Sequence, residues 1–235
     1  MKFDEFDQYS EDLLMAQYDV SEIITHELMK GEVREDFLIT TLESCCSDPK
    51  PKLVKGTISD GQDDAGQLDI ILCRPFAHLR NIGTQCFVAK NDALCVIEVK
   101  GNCRGTDLNK AEAKAAVIQG LHGQRSPQYG VVCYKVALEL KTIMGRFGYT
   151  YDSATNTFFD NATVPNEVEA NWRSIHYPNL DFFVSLEDGK KIFLRKYELS
   201  PGKFRFVRAV QSPLIKELFS MMRSLWIPAN QIAQP

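Results

Sequence analysis

Three charged residues sit where charge is costly. Asp69 lies in Leu68-Asp-Ile-Ile-Leu-Cys73, and Glu98 and Lys100 lie in Leu94-Cys-Val-Ile-Glu-Val-Lys100. Both stretches are otherwise apolar and rich in β-branched residues, the pattern of strands covered on both faces. Residues two apart on a strand point to the same side, so Glu98 and Lys100 project together at the C-terminal end of theirs. Asp69 reaches the same edge from a neighbouring strand. Unpaired buried carboxylates are unfavourable, and a divalent cation compensates two of them at once. A small number of oxygen ligands completed by water suits Mg2+ or Mn2+. The chemistry that uses such a set is phosphodiester hydrolysis. A metal polarises the phosphate and acidifies a bound water, while a lysine orients that water and offsets developing negative charge. The competing reading is a structural ion pair between Asp69 and Lys100, since perturbed charges mark functional sites only statistically.

Two further residues could join this set. In Gly31-Glu-Val-Arg-Glu-Asp-Phe37, Glu32 and Glu35 are three apart and share a helix face. On a helix packed near the sheet edge, Glu32 would bind a metal directly or through water; the alternative is a solvated acidic face. Gln67 is two residues before Asp69 and points the same way, toward a phosphate or water. Its alternative is an ordinary strand-edge residue.

The elements that must hold these residues are legible in outline. Leu13, Leu14, Ile23, Ile24, Leu28, Phe37, Leu38 and Leu42 recur at helical spacing over residues 11–46, with a break expected at Gly31. Ser47-Asp-Pro-Lys-Pro51 ends the helical region, because proline lacks an N–H and disfavours helix before it. Strands are expected at Leu53–Ile58, Leu68–Cys73 and Leu94–Val99. Residues 60–66 and 74–85 read as loops, and Cys86–Ala89 as a strand pairing with the one after it. Asp107 can cap a helix over 108–122, with Leu108, Ala111, Ala115, Ile118 and Leu121 inward. Tyr129–Val136 reads as a buried strand, followed by a helix over 137–146. The strand–helix–strand unit at 94–136 implies a parallel pair inside a mixed sheet. Residues 149–170 are turn-rich and give no assignment. Leu180–Leu186 and Lys191–Tyr197 flank Glu187-Asp-Gly-Lys190, a hairpin signal. Lys203–Val210 makes a further strand, and Pro213 opens a last helix.

Taken together, Gly31-Glu32, Gly56-Thr-Ile-Ser-Asp60, Gln67-Leu-Asp69-Ile-Ile and Ile97-Glu98-Val-Lys100 resemble the PD-(D/E)XK nuclease pattern. More narrowly they resemble NucC-type effector nucleases and nearby nuclease-like families. That subgroup has an acidic residue on the first helix, a strand ending in a serine- or glycine-rich loop, Q-[LI]-D, and an apolar E-x-K strand followed by a helix. The likeness covers roughly residues 30–136, and a weaker one reaches Pro213…Leu218-Phe219…Leu225. The first motif lacks the proline of the superfamily's name, as is usual in the subgroup, and residues 149–180 have no counterpart.

The resemblance implies a restriction-endonuclease-like α/β fold. Such a fold is a mixed β-sheet core flanked by helices, here with a C-terminal β-hairpin-rich extension and terminal helix. One domain is expected over 1–235, its core at about 30–146 and its extension at about 171–227. The implied activity is Mg2+-dependent endonucleolytic cleavage of double-stranded DNA, with Mn2+ as a substitute. By motif position the metal falls to Asp69, Glu98 and the main chain at Val99, and the catalytic lysine role to Lys100. Glu32 and Gln67 take supporting roles. A homo-oligomer, a trimer in NucC, switched on by a cyclic oligonucleotide in anti-phage defence, is also implied. Two other readings stay open: a catalytically idle nuclease fold used for ligand binding or assembly, and an ungated restriction or repair nuclease.

Composition sets outer limits. The chain has 235 residues, with 27 Lys+Arg against 31 Asp+Glu and 44% hydrophobic residues, which excludes disordered and rod-like classes. Its charges are segregated. Residues 1–48 hold 13 acidic and 3 basic residues, a balance of −10. Residues 190–208 hold Lys190, Lys191, Arg195, Lys196, Lys203, Arg205 and Arg208 against Glu198, a balance of +6. A hairpin carrying that strip either follows a DNA backbone or protects a sheet edge. The seven cysteines form no CxxC pair, and the histidines lack zinc-site spacing. Buried thiols, no apolar span of membrane length and an acidic N-terminus lead to an expected cytoplasmic location, without membrane contact.

Overall fold

The computed structural model describes residues 3–45, 51–61, 63–83, 85–122, 126–160, 175–200, 202–209 and 213–232. Helices α1 (Phe3–Ser21) and α2 (Glu27–Ser44) come first. They part at residues 22–26, not at Gly31, which lies inside α2. The reason is a cap. His26 has extended backbone, and its ring Nδ1 accepts from Met29 N at 3.4 Å, which starts a new helix there.

Four strands follow: β1 (Lys52–Ser59), β2 (Leu68–Cys73), β3 (Leu79–Ile82) and β4 (Gln85–Ala89). A 3-10 turn at Lys90–Asp92 leads into β5 (Ala93–Cys103), α3 (Gly105–His122) and β6 (Gln128–Val136). Then come α4 (Leu140–Arg146), β7 (Tyr149–Asp152) and β8 (Thr157–Asp160). The described chain closes with β9 (Phe182–Ser185), β10 (Ile192–Ser200), β11 (Lys203–Arg208) and α5 (Leu214–Ile232).

Nine strands make one mixed sheet in the order β11-β10-β9-β6-β5-β2-β1-β4-β3. The β5–α3–β6 unit is parallel, as its apolar runs imply, and β9 and β10 form the antiparallel hairpin signalled at Glu187–Lys190. Two expectations need correction. Residues 74–85 are not all loop, because Leu79–Ile82 forms β3 and pairs with β4. Strand β4 does not pair with β5. It lies between β3 and β1, since both edges of β5 are taken by β2 and β6. Strands β7 and β8 form a separate hairpin in the turn-rich stretch that carries no assignment from sequence. Residues 161–174 and Val210 lie outside the described residues.

The strands separate two apolar layers. On one face Ile71, Val96, Val131 and Cys133 meet Leu108, Ala111, Ala115 and Ile118 of α3 and Ile143 and Met144 of α4. On the other, Ile70, Leu72, Ile97, Val99 and Val132 meet Leu14 and Tyr18 of α1, Leu38 and Leu42 of α2, and Leu218 and Met222 of α5. Each such aliphatic side chain stabilises the fold by about 1.5–3 kcal/mol on full burial. Cys73, Cys95 and Cys133 are buried free thiols, as expected; Cys46 is outside the described residues.

Glu11 joins the two ends of the chain. It is 1% exposed, and its Oε2 accepts from Leu214 N at 2.6 Å and Ile215 N at 3.3 Å, capping α5 from another helix. Lys191 Nζ, 3.0 Å from Oε1, balances its charge. Among the described residues, no helix is long and apolar enough to cross a membrane.

Candidate active site

The β2–β5 register brings the site together. Ile70 pairs with Ile97, so one step further along the antiparallel ladder Asp69 stands opposite Glu98. Backbone pairing stops there, and a side chain takes over. Asp69 Oδ2 accepts from Val99 N at 2.8 Å. Asp69, Glu98 and Lys100 project on the α3 face, as do Ile71 and Val96 two residues before or after them.

Lys100 Nζ lies 2.7 Å from Glu98 Oε1 and 3.7 Å from Asp69 Oδ2, so it bridges the facing carboxylates. Tyr129, fully buried on β6, donates its hydroxyl to Glu98 Oε2 at 2.9 Å. A second ammonium, from Lys114 on α3, lies 3.2 Å from the same oxygen. Thus, among the described residues, Glu98 has three side-chain partners, while Asp69 has a main-chain N–H and a more distant lysine.

This asymmetry sets the electrostatics. Burial, and next the charge of Glu98, push the Asp69 carboxyl above its ordinary range, against the pull of Lys100. Burial acts on Glu98 in the same sense. There Lys100 and Lys114, with the hydrogen bonds from Lys100 and Tyr129, outweigh it and hold that carboxyl below its ordinary value. Burial alone would make Lys100 easier to deprotonate, but Glu98 and Asp69 together raise it. Lys100 is therefore a fixed cation, suited to stabilising an anion rather than to accepting a proton. Burial and the charge of Glu98 push the Tyr129 hydroxyl well up, which keeps it a donor.

The supporting residues fall differently from their spacing. Glu32 is exposed, and its main-chain oxygen accepts from Lys55 Nζ at 2.9 Å. Helix α2 seats Arg34, Leu38 and Leu42 on the sheet face opposite α3, which turns Glu32 outward. Glu35 is the residue of that pair which feels the site. Burial, then the charge of Asp69, push its carboxyl up, while Lys55 pairs with it at 3.1 Å. Gln67 is exposed, and its main-chain oxygen accepts from Lys114 Nζ at 3.0 Å. Lys114 itself escaped sequence reasoning. It lies between Ala111 and Ala115, inside the stripe that reads as core, and its position next to that stripe was the available signal.

The donor set fits a hard divalent ion. It consists of two ionisable carboxylates on facing strands, with the Val99 carbonyl between Glu98 and Lys100 in sequence. Among the described residues no group of three or more His, Cys, Asp or Glu side chains gathers around one point. A two-carboxylate set of this kind matches Mg2+, which keeps several waters and takes substrate oxygens, rather than zinc or calcium.

The basic strip at 190–208 is partly neutralised by acids from outside it. Lys190 lies 3.6 Å from Glu187 and donates to Val136 O at 2.8 Å. Lys191 pairs with Glu11 and, at 3.3 Å, with Asp188. Lys196 lies 3.6 Å from Asp181, donates to Pro178 O at 2.7 Å and stands over the Phe204 ring. These three lysines knit the hairpin to the body of the protein. Arg195 stands over the Tyr197 ring, and Lys203, Arg205 and Arg208 lie on β11 at the sheet edge.

No family model matches the sequence, and no curated protein matches it. Solved structures do match the fold. NucC of P. aeruginosa ATCC27853 in its cAAA-bound form aligns with TM-score 0.66 at 12% identity, over 96% of this chain and 91% of that one. NucC of E. coli MS115-1 in its cAAA-bound form gives 0.64 at 11% identity, over 99% and 97%. The apo form of the E. coli protein gives 0.52 at 12% identity, over 94% and 97%. At such identities the likeness establishes a NucC-like fold.

Proposed function

We propose that the protein is a metal-dependent endonuclease that hydrolyses phosphodiester bonds of double-stranded DNA. We further propose that it is a homo-oligomeric defence effector gated by a cyclic oligonucleotide. One observation carries the reading: Asp69, Glu98 and Lys100 meet on adjacent strands of a NucC-like sheet, with Lys100 bridging the carboxylates. When bound, a divalent ion supplies Lewis-acid activation of the phosphate and of a water. Asp69, Glu98 and the Val99 carbonyl hold it. Lys100, kept charged, offsets the negative charge that builds on the phosphoryl oxygens. Tyr129 fixes the orientation of Glu98 from the buried side. Arg195, Lys203 and Arg205, which share one face of the edge hairpin, and Arg208 on its other face are the proposed contacts to the DNA backbone, which would position substrate without reading sequence.

The gating proposal is supported by the solved neighbours. Two of them carry cAAA. Supercoiled-plasmid cleavage by the purified protein tests the activity, its metal dependence and its gating. Nicking and linearisation are expected with Mg2+ and cAAA together, and not with either alone or in EDTA. Wild-type rates in both Glu98→Gln and Lys100→Ala would remove the site assignment. Full activity without any cyclic nucleotide would remove the switch.

A further inference from the structure

Among the described residues Lys114 has two polar partners, one on the strand that carries Glu98 and one immediately before the strand that carries Asp69. Its Nζ lies 3.2 Å from Glu98 Oε2 and donates to the main-chain oxygen of Gln67, two residues before Asp69, at 3.0 Å. A carboxylate oxygen offers about two lone-pair directions. Those of Glu98 Oε2 are taken by Lys114 and Tyr129, and one of those of Oε1 by Lys100. The residue from which a divalent ion would draw an oxygen is thus already surrounded by positive groups.

Resting on the reading of Asp69 and Glu98 as metal ligands, we propose that Lys114 is the built-in counter-ion of the metal site. Its ammonium occupies Glu98 Oε2, and its charge opposes a divalent ion until it leaves that oxygen. The geometry allows that departure. The Lys114 side chain is 30% exposed, so its flexible stem has a route to solvent. Tyr129 is fully buried and has none. Lys100 is tied to both carboxylates, whereas Lys114 touches Glu98 alone among them. The three donors therefore differ in role: Tyr129 is a fixed prop, Lys100 a shared cation, and Lys114 the exchangeable one. Seating on α3 places this cation on a different element from the strand-borne acids.

Mn2+ binding to the full chain without nucleic acid, followed by calorimetry or by the Mn2+ electron paramagnetic resonance signal, tests this without an activity readout. Lys114→Met removes the opposing charge and is expected to bind Mn2+ about tenfold more tightly than wild type, a screened Coulomb effect. Lys114→Arg restores the charge and is expected to bind as wild type does. A lysine that merely supports the fold predicts the opposite sign, because its loss would loosen Glu98 and weaken binding. Equal or weaker binding by Lys114→Met overturns the proposal. If that variant fails to fold, Lys114→Gln, which keeps a donor for Gln67 O, carries the same expectation and the same refutation. Asp69→Asn separates the two levels of inference. If it binds Mn2+ as wild type does, the ligand assignment itself fails and the role of Lys114 falls with it. If it loses binding while Lys114→Met shows no tightening, only the role of Lys114 fails.

Discussion

Replacing Asp69 by Asn changes one charge and almost no volume, so the outcome depends on electrostatics. In the folded protein the carboxyl is raised above its ordinary value of 3.8, by burial first and then by Glu98. That direction already includes the help from Val99 N–H and Lys100. An acid whose folded value is raised makes ionisation costly to the fold. Relative to Asn, the wild type is therefore penalised as pH climbs from 3.8 through the folded value, and the penalty is constant above it. Like charges directly opposite on paired strands account for up to about 1 kcal/mol. The side chain of Asp69 is 17% exposed, so solvent screens little of it. In a chain of this length, 1 kcal/mol moves Tm by about 2–4 °C. Asp69→Asn is thus expected to melt about 2 °C above wild type at pH 7.5 in EDTA, with the gap narrowing toward pH 4. Thermal or urea unfolding across that range measures it. In Mg2+ the order is expected to reverse, because ligand binding stabilises only the protein that binds it. A variant less stable than wild type in EDTA at pH 7.5, or a gap that ignores pH, would refute the electrostatic account.

Two stability predictions follow from packing. A methyl group at Gly130 would overlap the ring of Phe182 on the neighbouring strand β9, both residues being buried; Gly130→Ala is expected to cost about 1–3 kcal/mol in urea unfolding, and a neutral result would show that the ring can shift. Glu11→Ala removes the cap of α5 and leaves the Leu214 and Ile215 N–H groups without that acceptor. A loss of about 2–3 kcal/mol is expected, whereas a Tm within 1–2 °C of wild type, corresponding to under about 1 kcal/mol, would show that the cap is dispensable.

The central strands and the charges they carry were legible because burial leaves a mark on sequence. Leu68–Cys73 and the run around Glu98 are covered on both faces, so their apolar residues are nearly continuous and each interrupting charge stands out. Strand β3 left no such mark. Leu79–Ile82 is exposed or half-buried throughout, and its pairing with β4 rests on main-chain hydrogen bonds that any side chain permits. The helix break at residues 22–26 was hidden because His26 is an uncommon cap, while Gly31 offered the more usual signal. Spacing placed Glu32 and Glu35 on one helical face but could not say which flank of that face turns toward Asp69; the packing of Arg34, Leu38 and Leu42 decides that. Lys114 was obscured by its neighbours, since a lysine between two buried alanines reads as the edge of a core stripe. The strip at 190–208 was visible as charge, but its engagement with Glu11, Glu187 and Asp181 depends on residues distant in sequence or on turn geometry.

The cap on α5 also bears on how the fold is closed. Glu11 and the N–H groups it serves, those of Leu214 and Ile215, lie 203 and 204 residues apart in sequence. Leu14 and Tyr18 likewise share their apolar layer with Leu214, Ile215, Leu218 and Met222. These contacts close a loop of about 200 residues, so they belong to the non-local, slowly formed part of the fold. Helix α1 keeps other anchors, since Leu14 and Tyr18 also share their layer with Leu38 and Leu42 of α2 and Tyr18 stacks on Tyr134 of β6. Without α5 the Glu11 carboxylate keeps Lys191 and loses its two N–H donors, so the loss of the last helix is felt as a buried charge on the first.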